Sequence, residues 1–403
     1  MGKPAYASCA AVPLMLTILL VFLVSRAQAC GVSGYASVEA RYFFRDALFP
    51  GQEGDGVSLA LQPEFYHGRQ DGSGLTFTPF ARFDSADPER SHFDIRELNY
   101  LMLGDRWELT VGISRVFWGV TEFVHLVDII NQTDYVEDID GEDKLGQPMI
   151  HLSIPRDWGV VDMFVLPYFR ERTFPGEKGR LRTQLVVDTD RAVYESAAKE
   201  YHVDLALRYS HTAGIWDFGI YYFRGTAREP ELLLSADSAG KPVLVPFYMQ
   251  IGQTGLDVQA VLGNWLFKLE SIYRTSRERN FFAGAGGFEY SMVNAASSGV
   301  DAGLIAEWAY DERGEEAPTP FDNDVMLGIR LALNDAAGTE ALLGISRDLD
   351  SRDSALSLES GRRIGEAWKI ALDAFFVIDS SEEDALHALR SDDNVQVRLS
   401  YYF

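Results

Sequence analysis

At 403 residues the chain is long enough for two or three soluble domains or for one large barrel. Its formal net charge of −24 argues against nucleic acid as a partner, since like charge repels the phosphate backbone. Apolar residues make up 47% of the chain, yet beyond residue 29 no stretch offers ~20 uninterrupted apolar residues, which excludes spanning helices there. The only long apolar run, residues 10–24, follows Lys3 and precedes Ala27-Gln28-Ala29, an A-x-A cleavage site. Residues 1–29 read as a cleaved secretory signal peptide, and residues 30–403 as one domain. Of the two cysteines, Cys9 leaves with the leader and Cys30 opens the mature chain, so no internal disulfide is expected. Cys30 after Ala29 hints at a lipid-modified terminus, but the Leu usual at the third position back is missing.

The rest of the chain alternates. Ala36, Val38, Ala40, Tyr42 and Phe44 are apolar with Ser37, Glu39 and Arg41 between them, a period of two that gives a strand one oily and one polar face. Further rows start at Val57, Leu75, Phe93 and Trp107. After a long interruption they resume at Ile150, Val161 (oily on both faces), Val203, Trp216, Leu256, Trp265, Phe288 (weak), Val300 and Val325. Residues 339–349, 354–362 and 368–378 precede the last strand, 395–403, which reads VQVRLSYYF. The count is eighteen, with sixteen as the alternative because the twelfth and sixteenth rows are faint. Short Gly- or Asn-bearing turns at 104–106, 263–264 and 334–338 alternate with long polar links at 46–56, 116–147, 170–199, 226–243, 311–323 and 380–392. The 350–353 link breaks this rhythm by being short. Trp107, Trp158, Trp216, Trp265 and Trp368 each follow a short turn.

A final alternating strand ending in an aromatic residue resembles the closing strand of Gram-negative outer-membrane β-barrel porins. The resemblance implies an all-β, transmembrane, antiparallel up-and-down barrel, whose last strand pairs with the first near Gly34 and removes both free edges. Phe403, Tyr401 and Leu399 then serve as the assembly signal. The turn rhythm fits short periplasmic turns and long outer loops, with the tryptophans forming one interfacial girdle and Tyr42, Tyr222, Tyr273, Trp308 and Tyr310 the other. The resemblance also implies export through the periplasm to the bacterial outer membrane. Its lipid, the barrel assembly machinery and small hydrophilic solutes would be the partners, with a homotrimer as the family's usual state. No cofactor or metal is expected.

The polar phase, including Glu39, Arg41, Lys268, Glu270, Arg274, Asp373 and Arg398, should face water inside the barrel, because a midplane Lys or Arg facing lipid costs ~2–4 kcal/mol. The interruption at 117–147 follows the fifth strand, where porins carry the loop that folds into the lumen. Its apolar half (Val124, Leu126, Val127, Ile129, Ile130) supports an inward path and a short helix over 121–131. Its acidic half carries Asp134, Glu137, Asp138, Asp140, Glu142 and Asp143, and the next long loop carries Arg170, Arg172, Arg180 and Arg182. Opposed walls of this kind set a field across a constriction and tune ion selectivity; the alternative is weak surface pairing between outer loops. Residues 138–143 also look like a hard-cation loop but lack the twelve-residue EF-hand frame.

Enzyme signals are poor: G-x-S-x-G, H-E-x-x-H and C-x-x-C are all missing, and His151 with Ser153 on one strand face is a common accident. Gly284-Ala285-Gly286-Gly287 precedes a strand rather than a helix and reads as a bend or bulge, not a phosphate cradle. The leading expectation is a porin, an aqueous channel for small hydrophilic solutes or ions that prefers cations. A binding transporter for hydrophobic solutes such as fatty acids is the first alternative, though the early first strand leaves no room for a plug. An outer-membrane enzyme is the second.

Overall fold

The computed structural model describes residues 31–382 and 384–403, so the signal peptide and Cys30 lie outside the described residues. Eighteen strands form one closed antiparallel sheet in which each strand pairs with its neighbours in sequence. The faint twelfth and sixteenth rows are full strands, Asn280–Met292 and Ser354–Ile364. Closure joins Gly31–Phe43 to Asn394–Tyr402, with Tyr35 opposite Tyr402 and Phe43 opposite Asn394. The Gly34 N–H donates to the Phe403 carbonyl and the Phe403 N–H to the Gly34 carbonyl, both at 3.1 Å. Among the described residues the barrel sheet has no free edge to recruit another chain.

Alternation sets which face is which. Val38 is 48% exposed on the outside, while its neighbour Glu39 is 1% exposed within. Phe267 and Leu269 point outward and Lys268 and Glu270 inward. One end of the barrel carries the turns 105–106, 157–158, 214–215, 263–264 and 365–367, and the other carries the long loops 115–146, 167–203, 227–249 and 380–393. The five turn-following tryptophans are exposed at the short-turn end, and Tyr42, Tyr222, Tyr273, Trp308 and Tyr310 are exposed near the other, so two aromatic belts flank an apolar band.

Three local readings change. The links 277–279 and 349–353 are both short at the long-loop end; only the second was visible in the pattern. The glycine-rich stretch keeps an unbroken register with both neighbours and forms no bulge. Glycine is required there by close approach, since a Cβ on Gly287 would lie 1.9 Å from the Ala306 carbonyl oxygen. The link after Trp216–Thr226 contains a hairpin, Glu231–Ala236 with Pro242–Tyr248, joined in parallel by Val193–Tyr194 into a second, three-stranded sheet.

Candidate functional site

The segment 115–146 leaves Trp107–Ser114, runs inside the barrel and returns to Gln147–Arg156. Its apolar half enters because several inner wall positions are themselves apolar. Val127, Ile129 and Ile130 are fully or almost fully buried against Leu166, Phe223, Ile272 and Phe281. Trp118 sits between Phe164 and Tyr221, with ring centroids 5.5 and 4.9 Å away. Phe123, Val124 and Leu126 pack with Ala285, Ala309 and Met326, and the Phe123 ring lies 2.9 Å from where a Cβ on Gly344 would be.

The segment is also held by carboxylates on the wall. Glu270 Oε1 accepts from the Val120 N–H (2.7 Å), the Thr121 N–H (3.1 Å) and the Thr121 hydroxyl (2.7 Å), and Oε2 accepts from the Val127 N–H (3.1 Å). Glu307 accepts from the Glu122 and Phe123 N–H groups. Residues 121–131 form no helix, contrary to the expectation: the Val127 N–H, which a helix would direct to the Phe123 carbonyl, points instead at Glu270 Oε2. At the base, Asn131 accepts from the Val116 N–H and donates to the Ser114 and Leu145 carbonyls.

The acidic half crosses back. Asp134 pairs with Arg96 at 2.8 Å and Glu137 with Arg82 at 2.6 Å; Arg82 and Arg90 both reach Glu39. In the next loop Arg170 pairs with Asp94 at 2.7 Å, and Arg180 pairs with Asp392 at 2.6 Å while lying 4.2 Å over the Phe43 ring. Asp134, Glu137 and Arg180 are buried and Arg170 is mostly covered. These four hold loops to the wall and to each other, and removing one partner of such a buried pair costs ~3–5 kcal/mol. Asp138, Asp140, Glu142, Asp143, Arg172 and Arg182 instead line a cavity of about 880 Å³ between the inward loop and the wall.

Charge in that cavity is sorted. Asp138 lies 3.6 Å from Arg41, and the tip shares the cavity with Glu359 and Asp373 of the strands Ser354–Ile364 and Trp368–Asp379. The tip carboxylates touch the solvent of the lumen but are ringed by protein. This enclosure, together with Glu137, Asp138 and Asp134, pushes the Asp143 carboxyl up to about 6. Asp140 is raised well above its ordinary range by the same enclosure and by Asp138, Glu142 and Asp143. Another sector is basic: Arg274 and Arg313 lie 2.9 and 3.3 Å from Glu229, and Arg172 and Arg228 line the same cavity. Burial pushes Glu229 up, but Arg274, Arg313 and Arg172 outweigh it and hold the carboxyl below its usual range. Alternation put Arg274 on the luminal face; Arg228, Glu229 and Arg313 lie in loops just past strand ends, where the period-two signal stops.

Residues 138–143 do not gather three ligand atoms; among the described residues His92/Asp134/Glu137 and Asp322/Asp324/Asp348 do. The first set is already engaged by Arg96 and Arg82. His151 lies 2.8 Å from Asp162 and stacks on Phe164.

No protein-family profile matches this chain, and no curated protein does. Solved structures do resemble it. Wzi, an outer-membrane protein involved in group 1 capsule assembly in Escherichia coli and a carbohydrate-binding β-barrel, aligns over 100% of this chain and 90% of its own. It does so at 10% identity with a TM-score of 0.54. Two variants of Rh. blastica porin align over 93% of this chain and 100% of theirs, at 12% identity and a TM-score of 0.45. What the likeness to Wzi and the closed sheet together establish is the fold, a closed antiparallel β-barrel of eighteen strands.

Proposed function

We propose that this chain is an outer-membrane porin, delivered by its signal peptide, whose inward loop narrows an aqueous path for small hydrophilic solutes and gives it a cation preference. The observation that carries this reading is the charged cavity of about 880 Å³ left beside the inward loop. A barrel of eighteen strands is too wide for wall side chains alone to fill, so whatever the loop leaves open is available to solutes. Asp138, Asp140, Glu142 and Asp143 face that path with Arg172 and Arg182, while Asp134, Glu137, Arg170 and Arg180 fix the loops that form it. Low-dielectric walls focus the field of the tip carboxylates on a passing ion. Phe403, Tyr401 and Leu399 present the closing strand to the assembly machinery, and a trimer in the lipid is the expected state. The reading contains no catalytic step. A hydrophobic-solute carrier fits less well, because the lining mixes carboxylates and guanidinium groups.

A second reading, a carbohydrate-binding barrel, is favoured by one observation. Phe123, Tyr135, Phe174 and Phe321 share the cavity with charges of both signs, which offers flat apolar platforms beside polar groups. Wzi, whose fold this chain shares, binds carbohydrate. Purified protein in a planar bilayer separates the two. A porin produces stepwise, ohmic conductance whose reversal potential in a potassium chloride gradient has the cation sign. A silent bilayer, with oligosaccharide binding measured by calorimetry, replaces the channel reading by the second.

A further inference from the structure

At the long-loop end, on the inner rim, three aspartates from two neighbouring segments converge. Asp324 starts the strand Asn323–Ala332, Asp348 ends Glu340–Asp348, and Asp322 lies in the link before them. One carboxylate oxygen from each lies within 4.8 Å of the others. Asp353 and Asp384 stand beside them from the links 349–353 and 380–393. No lysine or arginine among the described residues forms an ion pair with any of the five. The surrounding backbone holds single oxygens in place: Asp348 Oδ1 accepts from the Asp350 and Ser351 N–H groups at 2.6 Å. Asp353 accepts from the Ser381 N–H and hydroxyl. Asp324 is only 3% exposed, and its Oδ2 is buried with no hydrogen bond.

An ionised carboxylate in that condition is strongly unfavourable, and two more beside it make it worse. Elsewhere in this barrel buried carboxylates meet arginines, as Glu39, Glu137 and Asp392 do, or several N–H groups, as Glu270 does. Here no arginine or lysine among the described residues pairs with the cluster, which leaves a proton or a cation from solution to relieve the charge. We infer that Asp322, Asp324 and Asp348 form a binding site for a divalent cation of calcium's size, with Asp353 and Asp384 supplying further negative charge. Calcium holds oxygens at ~2.3–2.6 Å, so ligands on opposite sides of the ion stand up to about 5 Å apart, which accommodates the spacing. Magnesium demands ~2.0–2.1 Å and a near-ideal octahedron and gives up its waters reluctantly, so a cluster of protein carboxylates favours calcium. A bound ion ties the start of Asn323–Ala332 and the link before it to the end of Glu340–Asp348, and so stiffens one sector of the rim.

The test is calorimetric titration of the folded, full-length barrel in detergent with calcium chloride after chelator treatment, paired with the temperature at which the folded barrel is lost. The expected result is one calcium per chain and a melting temperature several degrees higher with calcium than with chelator. Asp324→Asn and Asp348→Asn should each weaken binding by roughly tenfold or more, through loss of ligand charge, and abolish the calcium-dependent shift. Asp335→Asn, at the short-turn end, should change neither. If Asp324→Asn does not fold, Asp322→Asn, in the link, replaces it with the same expectation. A cluster without a ligand behaves differently: Asp324→Asn then raises the melting temperature in chelator, and calcium leaves the parent unchanged. That outcome, absence of a calcium heat, or magnesium binding as tightly as calcium overturns the inference.

Discussion

One carboxylate, Glu270, organises the inner end of the long loop. Being 0% exposed, it accepts three backbone N–H groups and one hydroxyl from residues 120–127. Glu270→Ala leaves those N–H donors buried without an acceptor, at ~1–3 kcal/mol for each that finds no water. Glu270→Gln keeps one oxygen and loses the other, and should behave between the two. We expect Glu270→Ala to assemble a barrel whose loop is cleaved faster by added protease and whose single-channel conductance is larger and noisier. Identical cleavage rates and current traces in parent and variant count against the anchoring role. The inward aim of Glu270 was legible because Leu269 and Tyr273 bracket its face on a strand of period two. Its partners were not, because backbone donors carry no side-chain signature, and nothing in residues 117–131 announces that their N–H groups will meet a wall.

Among the elements, the strands were legible and the loops only by composition. Alternation marked most of the barrel strands, since an outer face in lipid has to be apolar at every second position. It weakened at Asn280–Met292, where glycines replace apolar side chains so that strands can approach. It was silent on the hairpin Glu231–Ala236 and Pro242–Tyr248, which lies beyond the barrel wall and obeys no such two-sided rule. The inward loop was recognisable from its apolar half, but the helix expected there does not form, and the Val127 N–H that would have joined it meets Glu270 instead. Its tip carries a pH prediction. With the Asp143 carboxyl pushed up to about 6, it is largely protonated and neutral at pH 5 and ionised by pH 7.5; the Asp140 carboxyl is raised as well. Cation preference should therefore grow as pH rises from 5 to 7.5, read as a reversal potential in a fixed salt gradient. Asp143→Asn should lower the preference at pH 7.5 and flatten the pH dependence around 6. A reversal potential that stays constant with pH in the parent protein removes the tip from the selectivity path.

At the scale of the whole molecule, the strand Asn394–Tyr402 does two things at once: it pairs with the strand before it and it closes the ring onto Gly31–Phe43. Until that last register forms, both terminal strands are open edges in a chain with an apolar outer face, a condition prone to aggregation. The carboxy-terminal residue contributes the final two hydrogen bonds of the seam, both to Gly34, and continues an outward aromatic row with Tyr401, 6.5 Å away between ring centroids. It lies at the short-turn end, whereas the inward loop springs from the opposite end and is held by Glu270, Glu307, Arg82 and Arg96. Removing Phe403 should therefore act on yield and not on the path. We expect fewer folded barrels in the outer membrane, measured as the heat-resistant fraction on a gel, and an unchanged unitary conductance in those that do assemble. A Phe403→Trp variant keeps a ring and both backbone bonds and should assemble near the parent level. If the truncated chain assembles at full yield, closure is achieved by the remaining register from Tyr35 to Phe43 alone. If its conductance changes, the seam and the loop are mechanically coupled across the height of the barrel, which none of the loop's named anchors provides for.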